Sequence, residues 1–245
     1  MFNKIGWCTT TWNPVTGCTP CSPACDHCYA KGIATRFKGK KGHGNGFEIV
    51  TCYPERLDQP SKWNDPQRVF VLSMGDLFHK DVPNEFVEQV FQIMEDNPQH
   101  TFLVLTKRPE MIKVKLSNPK LIENVWLGVT VENQEYAIKR IPELLKIPAA
   151  GYFVSVEPML GPVDLTPWLD PSLISWVIVG GETGPGAREM KPEWAIPLRD
   201  QCKHTGIPFW FKGWGRFTTK SLKISKEDHK KMDGSVYLEL PKGMP

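Results

Sequence analysis

Residues 101–145 read TFLVLTKRPEMIKVKLSNPKLIENVWLGVTVENQEYAIKRIPELL. Two unbroken apolar runs, Thr101–Thr106 and Val125–Val131, are each followed by polar residues and then by helical patterning, most clearly from Gln134 to Leu145. Continuous apolar strands separated by amphipathic helices signal a parallel sheet. The same unit recurs outward in both directions. Val69–Ser73 (VFVLS) precedes a helix over Pro83–Glu95, with Phe86, Val90, Ile93 and Met94 on one face and Pro83 suited to the first turn. Tyr152–Val156 (YFVSV), Trp176–Val179 (WVIV) and Pro208–Lys212 (PFWFK) read as further strands, with a helix over Glu193–His204. A helix is predicted to start near Pro109, and an additional strand lies near Gly6–Trp12. The expected class is therefore α/β, a full or partial (β/α) barrel of parallel strands, with a doubly wound open sheet as the competing arrangement. Residues 1–215 are expected to form the barrel domain and 216–245 a Lys-rich appendage.

The chain has 245 residues, 30 Lys plus Arg and 27 Asp plus Glu, so a net charge of +3 permits a nucleic-acid partner without requiring one. Hydrophobic residues at 40% and charged residues at 23% fit an ordinary globular protein. No run approaches the ~20 apolar residues of a membrane span, and Met1–Thr11 lacks the features of a signal peptide. The expectation is a cytoplasmic protein with no membrane partner. Basic residues concentrate at Lys31, Arg36, Lys38, Lys40 and Lys41, where a Gly- and Lys-rich loop suits phosphate contact or simple solvation. Trp126, Trp176 and Trp210 lie inside apolar strands and read as core. Trp7, Trp12 and Trp214 flank the cysteine loop or end the last strand, and are candidates for stacking.

Polar residues follow nearly every strand: Asp76; Thr106, Lys107 and Arg108; Thr130, Glu132 and Asn133; Ser155 and Glu157; Gly180, Gly181 and Glu182; Lys212. In both competing architectures the carboxyl ends of parallel strands form the site face. A series of such residues implies one shared polar cavity.

Four of the seven cysteines fall in GCTPCSPACDHCYA, residues 17–30: Cys18, Cys21, Cys25 and Cys28. In a reducing compartment such a cluster suggests metal binding or catalysis rather than disulfides. Two Cys-x-x-Cys pairs could close a zinc site, but structural zinc pairs commonly lie about a dozen or more residues apart, whereas only three residues separate these. An iron–sulfur cluster held by three or four cysteines of one short loop is the other reading. His27, between two cysteines, is expected to be exposed rather than a ligand.

The C-x3-C-x2-C spacing of Cys21, Cys25 and Cys28 resembles the signature of the radical S-adenosylmethionine superfamily, and Tyr29 directly after it resembles the spore photoproduct lyase-like branch. The longer pattern is similar to a family of bacterial and phage-encoded three-cysteine-motif proteins of unassigned activity. It runs through residues 12–18, 25–30, 105–109, 128–132, 155–158, 180–182 and 209–215. In that family the first ligand aligns with Cys18, whereas the superfamily spacing nominates Cys21, so all four cysteines are candidate ligands.

The resemblance implies a [4Fe-4S] cluster, S-adenosylmethionine as cofactor and an electron donor as partner. Together these generate a 5′-deoxyadenosyl radical that abstracts hydrogen from substrate. It further implies a barrel of the radical S-adenosylmethionine type. Cofactor contacts are expected at Tyr29, Ser73, Asp76, Thr130, Glu132 and Asn133, the last three toward ribose hydroxyls. Catalytic or substrate contacts are expected at Lys107, Glu157 and Lys212, with Arg108 beside Lys107 available for an anion. The superfamily's Gly-Gly-Glu follows an early strand, while Gly180-Gly181-Glu182 follows a late one, so its role is not transferred. The substrate class suggested is a nucleic acid or nucleotide. Two alternatives stand beside this reading. One is a zinc- or cluster-stabilised nucleic-acid-binding module without turnover. The other is a divalent-metal nuclease or hydrolase using Asp76, Glu132, Glu157 and Glu182.

Overall fold

The computed structural model describes residues 5–39, 46–225 and 227–245. The chain begins with β1 (Thr10–Trp12), β2 (Val15–Thr16), α1 (Tyr29–Arg36) and β3 (Thr51–Cys52). The repeating part follows: β4 (Arg68–Val71), α2 (Asn84–Glu95), β5 (Thr101–Thr106), α3 (Ile112–Lys115), β6 (Val125–Thr130), α4 (Gln134–Leu144), β7 (Gly151–Val156), β8 (Trp176–Gly180), α5 (Pro192–Thr205) and β9 (Phe209–Gly213). It ends with α6 (Gly215–Ser221) and the small hairpin β10 (Lys231–Met232) and β11 (Ser235–Val236).

Seven strands form one parallel sheet in the order β1-β4-β5-β6-β7-β8-β9. This order never reverses. Right-handed crossovers then place the helices that connect successive strands, α2 to α5, on the same face, and the packing agrees. Val69, Val71, Phe102, Val104, Leu127, Val129, Val154, Val156, Val177 and Val179 share one apolar cluster with Val87, Val90 and Met94 of α2, Ala137 and Ile141 of α4, and Leu198 and Cys202 of α5. The alternate residues Phe70, Leu103, Phe153, Trp176, Ile178 and Trp210 form a second cluster with Trp7 and Cys8 and no helical member. A face without helices must be covered by the sheet curling over itself, the arrangement of a partial β/α barrel. A doubly wound sheet would carry helices on both faces and is excluded.

Bulky rings fill the concave face, and glycines make room for them. A Cβ on Gly128 would stand 2.4 Å from the Phe153 ring, and one on Gly151 would stand 2.7 Å from the Trp126 ring. C-terminal residues Leu240 and Met244 pack on this cluster, and the buried Arg68 guanidinium reaches the Trp7 carbonyl (2.7 Å) and that of Pro245. Residues beyond 215 run along the β9 side, where Leu238 bridges Trp210 and Phe211 N–H donates to Tyr237 O (2.8 Å).

Three local expectations change. The helix near Pro109 is a 3-10 turn, Pro109–Met111, followed by one turn of α3. It stops where Leu116 turns extended and the buried Lys115 ammonium is spent on Lys80 O and Val82 O. The first strand is only Thr10–Trp12, because Gly6 at φ +86° bends the chain so that Trp7 and Cys8 join the inner core. Trp7, Trp12 and Trp214 are buried core rings, not stacking platforms. Trp12 and Trp214 spend their indole N–H groups on Arg56 O and Lys231 O. Of the basic loop, Lys31 pairs with Glu48 at 2.9 Å, while Lys40 and Lys41 lie outside the described residues.

Candidate functional site

The cysteine loop leaves β2 at Gly17, whose φ of +93° and close approach to the Ile49 carbonyl leave no space for a side chain. Cys18 N–H donates to Phe47 O (2.8 Å). Pro23–Cys25 form a 3-10 turn, and Cys28 is the residue before α1, its carbonyl accepting from Gly32 N–H at 3.2 Å. Cys18 and Cys28 both pack against Ala30, Ala34, Phe47 and Met74. An S–H bond from Cys21 is the main reason the Cys25 thiol is pushed down to about 4. Burial opposes that fall, while the Lys107 charge and backbone N–H groups assist it. Cys21 rises in return, through the same bond and through burial. Burial and the Asp76 charge push Cys18 up to about 11, against the pull of Arg108. Among the described residues, no three His, Cys, Asp or Glu side chains stand in an arrangement that would hold a single metal ion.

The polar residues predicted at the strand ends do gather at this carboxyl edge, and each of the four acids there has its own cation. Asp76 is fully engaged: Oδ1 accepts from Thr106 Oγ1 (2.8 Å) and Phe78 N–H (3.1 Å), and Oδ2 from Lys107 N–H (3.2 Å) and Arg108 Nη1 (3.0 Å). Arg108 then reaches Cys18 Sγ (3.4 Å) and Thr19 O (2.7 Å). Glu132, fully buried, meets Arg140 Nη1 at 2.7 Å, and the same nitrogen donates to Thr130 O. The Arg140 guanidinium stacks on Tyr136. Glu157, whose peptide bond to Pro158 is cis, receives Lys212 Nζ on both oxygens at 2.5 and 2.7 Å. Gly180 makes room for that pair, since a Cβ there would meet Lys212 Cβ at 3.2 Å and Glu157 Cδ at 3.4 Å. Glu182 pairs with Arg188 at 2.5 Å and with His27 Nδ1 at 3.0 Å.

Other predicted contacts are spent within the protein. Tyr29 OH donates to Ser73 O (2.7 Å), Ser73 Oγ meets Asn13 Oδ1 (3.2 Å), and Asn133 caps α4 by accepting from Tyr136 N–H. Glu132 is the exception, because its Oε1 is buried without a hydrogen-bond partner. A buried, half-satisfied carboxylate is costly unless a donor arrives. Arg140, Arg188 and the bond from His27 to Glu182 were missed from sequence. Tyr136 and Arg140 at four-residue spacing after Glu132 share one helix face, a signal that could have revealed the Glu132–Arg140 pair.

Residues 2–241 match the model of a family described as "Protein of unknown function (DUF5131)". The chain belongs to this family. No curated protein matches it. Among solved structures, this DUF5131 chain is similar to spore photoproduct lyase complexed with dinucleoside spore photoproduct, at 10% identity and a TM-score of 0.45, over 80% of this chain and 72% of that one. A spore photoproduct lyase mutant with bound AdoMet and dinucleoside spore photoproduct is similar at 10% identity and a TM-score of 0.42, over 94% and 81% of the two chains. At those values the likeness identifies neither chemistry nor substrate.

Proposed function

We propose that this DUF5131 protein is a radical S-adenosylmethionine enzyme whose cysteine loop holds an iron–sulfur cluster. The observation that carries the reading is the placement of four thiols, within eleven residues, over the carboxyl edge of a parallel partial barrel. The donor set fits. Soft thiolates suit iron, and Lys107 and Arg108 supply positive charge beside Cys25 and Cys18, as an anionic cluster requires. When bound, cluster and cofactor together supply one-electron cleavage of the sulfonium and a carbon radical able to take hydrogen from substrate.

Cys25 and Cys28, with Cys18 or Cys21, are the cluster ligands in this reading. Glu132 Oε1 is the acceptor for a cofactor hydroxyl or ammonium, while Arg140 neutralises the other oxygen and fixes the carboxylate. Thr130 and Ser155 are buried in register on neighbouring strands, and Glu157–Lys212 sits at the same edge between β7 and β9. That ion pair offers one donor and one acceptor to a substrate bearing complementary polar groups, as a nucleotide does. Lys107 remains the candidate contact for a phosphate or carboxylate.

The alternatives receive less support. A divalent-metal hydrolase needs its carboxylates free for the ion, yet Asp76, Glu132, Glu157 and Glu182 are each bound to Arg or Lys. A closed four-cysteine zinc site is disfavoured by spacing, since only three residues separate the Cys18–Cys21 and Cys25–Cys28 pairs.

Anaerobic reconstitution with iron and sulfide tests the proposal. About four irons and four sulfides per chain are expected, abolished by Cys25→Ala, by Cys28→Ala and by only one of Cys18→Ala and Cys21→Ala. Zinc-loaded, colourless protein that takes up no iron would sink it. The nucleotide assignment is tested separately: affinity for a single-stranded oligonucleotide should fall steeply with salt, and salt-independent binding would remove it.

A further inference from the structure

The cysteine loop follows β1 and β2, whereas Glu182 follows β8, near the opposite end of the sheet. Among the described residues β1 and β9 do not pair, so the sheet is open between its first and last strands. Contacts from residues 182–188 reach across to the loop. Glu182 is 5% exposed and accepts from His27 Nδ1 (3.0 Å), from Arg188 N–H (2.8 Å) and Nε (2.9 Å) on Oε2, and from Arg188 Nη2 (2.5 Å) on Oε1. Arg188 continues to Pro23 O (2.9 Å) and Asp26 Oδ2 (3.3 Å), the segment that carries Cys25. Gly186 lies so close that a Cβ would meet the His27 ring at 3.3 Å. Gly181 permits the approach behind, where a Cβ would stand 2.3 Å from Trp214 O. The partners of Glu182 are thus a forked guanidinium and an imidazole, both charge-capable donors.

We propose that Glu182 and Arg188 form a clasp that fastens the second half of the cysteine loop to the far side of the barrel mouth. The clasp holds Cys25 and Cys28 in place before any cluster is assembled. They are positioning residues, acting through His27, Asp26 and the Pro23 carbonyl rather than by touching cofactor. The significance for a cluster rests on the radical-enzyme reading; the clasp itself does not. Its two ends are 155 residues apart in the chain and meet through a small number of charge-assisted bonds, so breaking them frees the loop locally.

The test is alkylation of reduced, metal-free protein by iodoacetamide, with rates read for each cysteine by peptide mass spectrometry. Glu182→Ala and, independently, Arg188→Met are expected to raise the rates at Cys25 and Cys28 about tenfold, the opening cost lost with charge-assisted bonds. The Cys52 rate should stay unchanged, and Arg188→Lys should give an intermediate rise. In reconstituted protein the same variants should lose iron to a chelator faster. Unchanged rates at Cys25 and Cys28 in both variants would overturn the proposal. A parallel rise at Cys52 would overturn it too, because it would mean general destabilisation. If Glu182→Ala fails to fold, Arg188→Met alone decides. A parent protein that takes up no iron would defeat the functional reading while leaving the alkylation result to judge the clasp.

Discussion

Asp76→Asn separates two roles for one carboxylate. As a cofactor contact, Asp76 would need a free oxygen; in the structure it accepts four hydrogen bonds and anchors the guanidinium that touches Cys18. Asparagine keeps an oxygen for Thr106 and Phe78. It places an amide NH2 against Lys107 N–H and Arg108, so donors face donors and Arg108 loses its counter-charge. A hydrogen bond to a charged group contributes about 1.5–3 kcal/mol, and breaking a buried pair costs about 3–5 kcal/mol. Arg108 is 12% exposed, so solvent recovers part of this and a loss of about 3 kcal/mol is expected. With a urea m-value of about 3 kcal/mol/M for a chain of this size, the midpoint of metal-free protein should fall by about 1 M. A loss below about 1 kcal/mol would refute the argument and return Asp76 to the list of available ligands.

Other perturbations probe separate parts of the account. Gly128→Ala drives a methyl into the Phe153 ring, which is buried among Trp7 and Trp176; it should cost about 3 kcal/mol by urea denaturation, and Phe153→Leu in the same chain should recover much of it. Arg140→Met leaves the fully buried Glu132 without its cation and should cost about 3–5 kcal/mol, measured the same way. His79 is held below its ordinary pKa by burial and by the Arg108 charge. The unfolded chain therefore takes up the proton first as pH falls below about 6.5. Stability should drop from there until the folded-state value is passed, and His79→Gln should flatten that slope in urea midpoints taken between about pH 7.5 and 5.5. Lys212→Met should leave the iron content of reconstituted protein unchanged, since Lys212 pairs with Glu157 rather than with a cysteine.

Strand positions were legible because buried parallel strands are apolar on both faces; Thr101–Thr106 is a strand over those residues. That same property hid the architecture. Phe102 faces the helices and Leu103 the concave face, yet both are simply apolar in the chain. Barrel curvature became visible only from neighbour order. At the site, strand-end acids stood out against apolar runs, but their partners did not. Arg140 and Arg188 lie eight and six residues beyond their acids, where a cation reads as solvated surface. His27 is exposed, as expected, yet its Nδ1 is bound to Glu182 across 155 residues, a distance no local pattern spans. Trp7, Trp12 and Trp214 misled because adjacency to the cysteine loop says nothing about direction, and all three rings point into core.

The central claim is that the loop thiols assemble a cluster able to cleave S-adenosylmethionine reductively. The direct measurement is anaerobic incubation of reconstituted protein with S-adenosylmethionine and dithionite, followed by chromatographic detection of 5′-deoxyadenosine. The account predicts 5′-deoxyadenosine from the parent and none from Cys25→Ala or Cys28→Ala. Cluster-loaded protein that leaves the cofactor intact under reduction would contradict it.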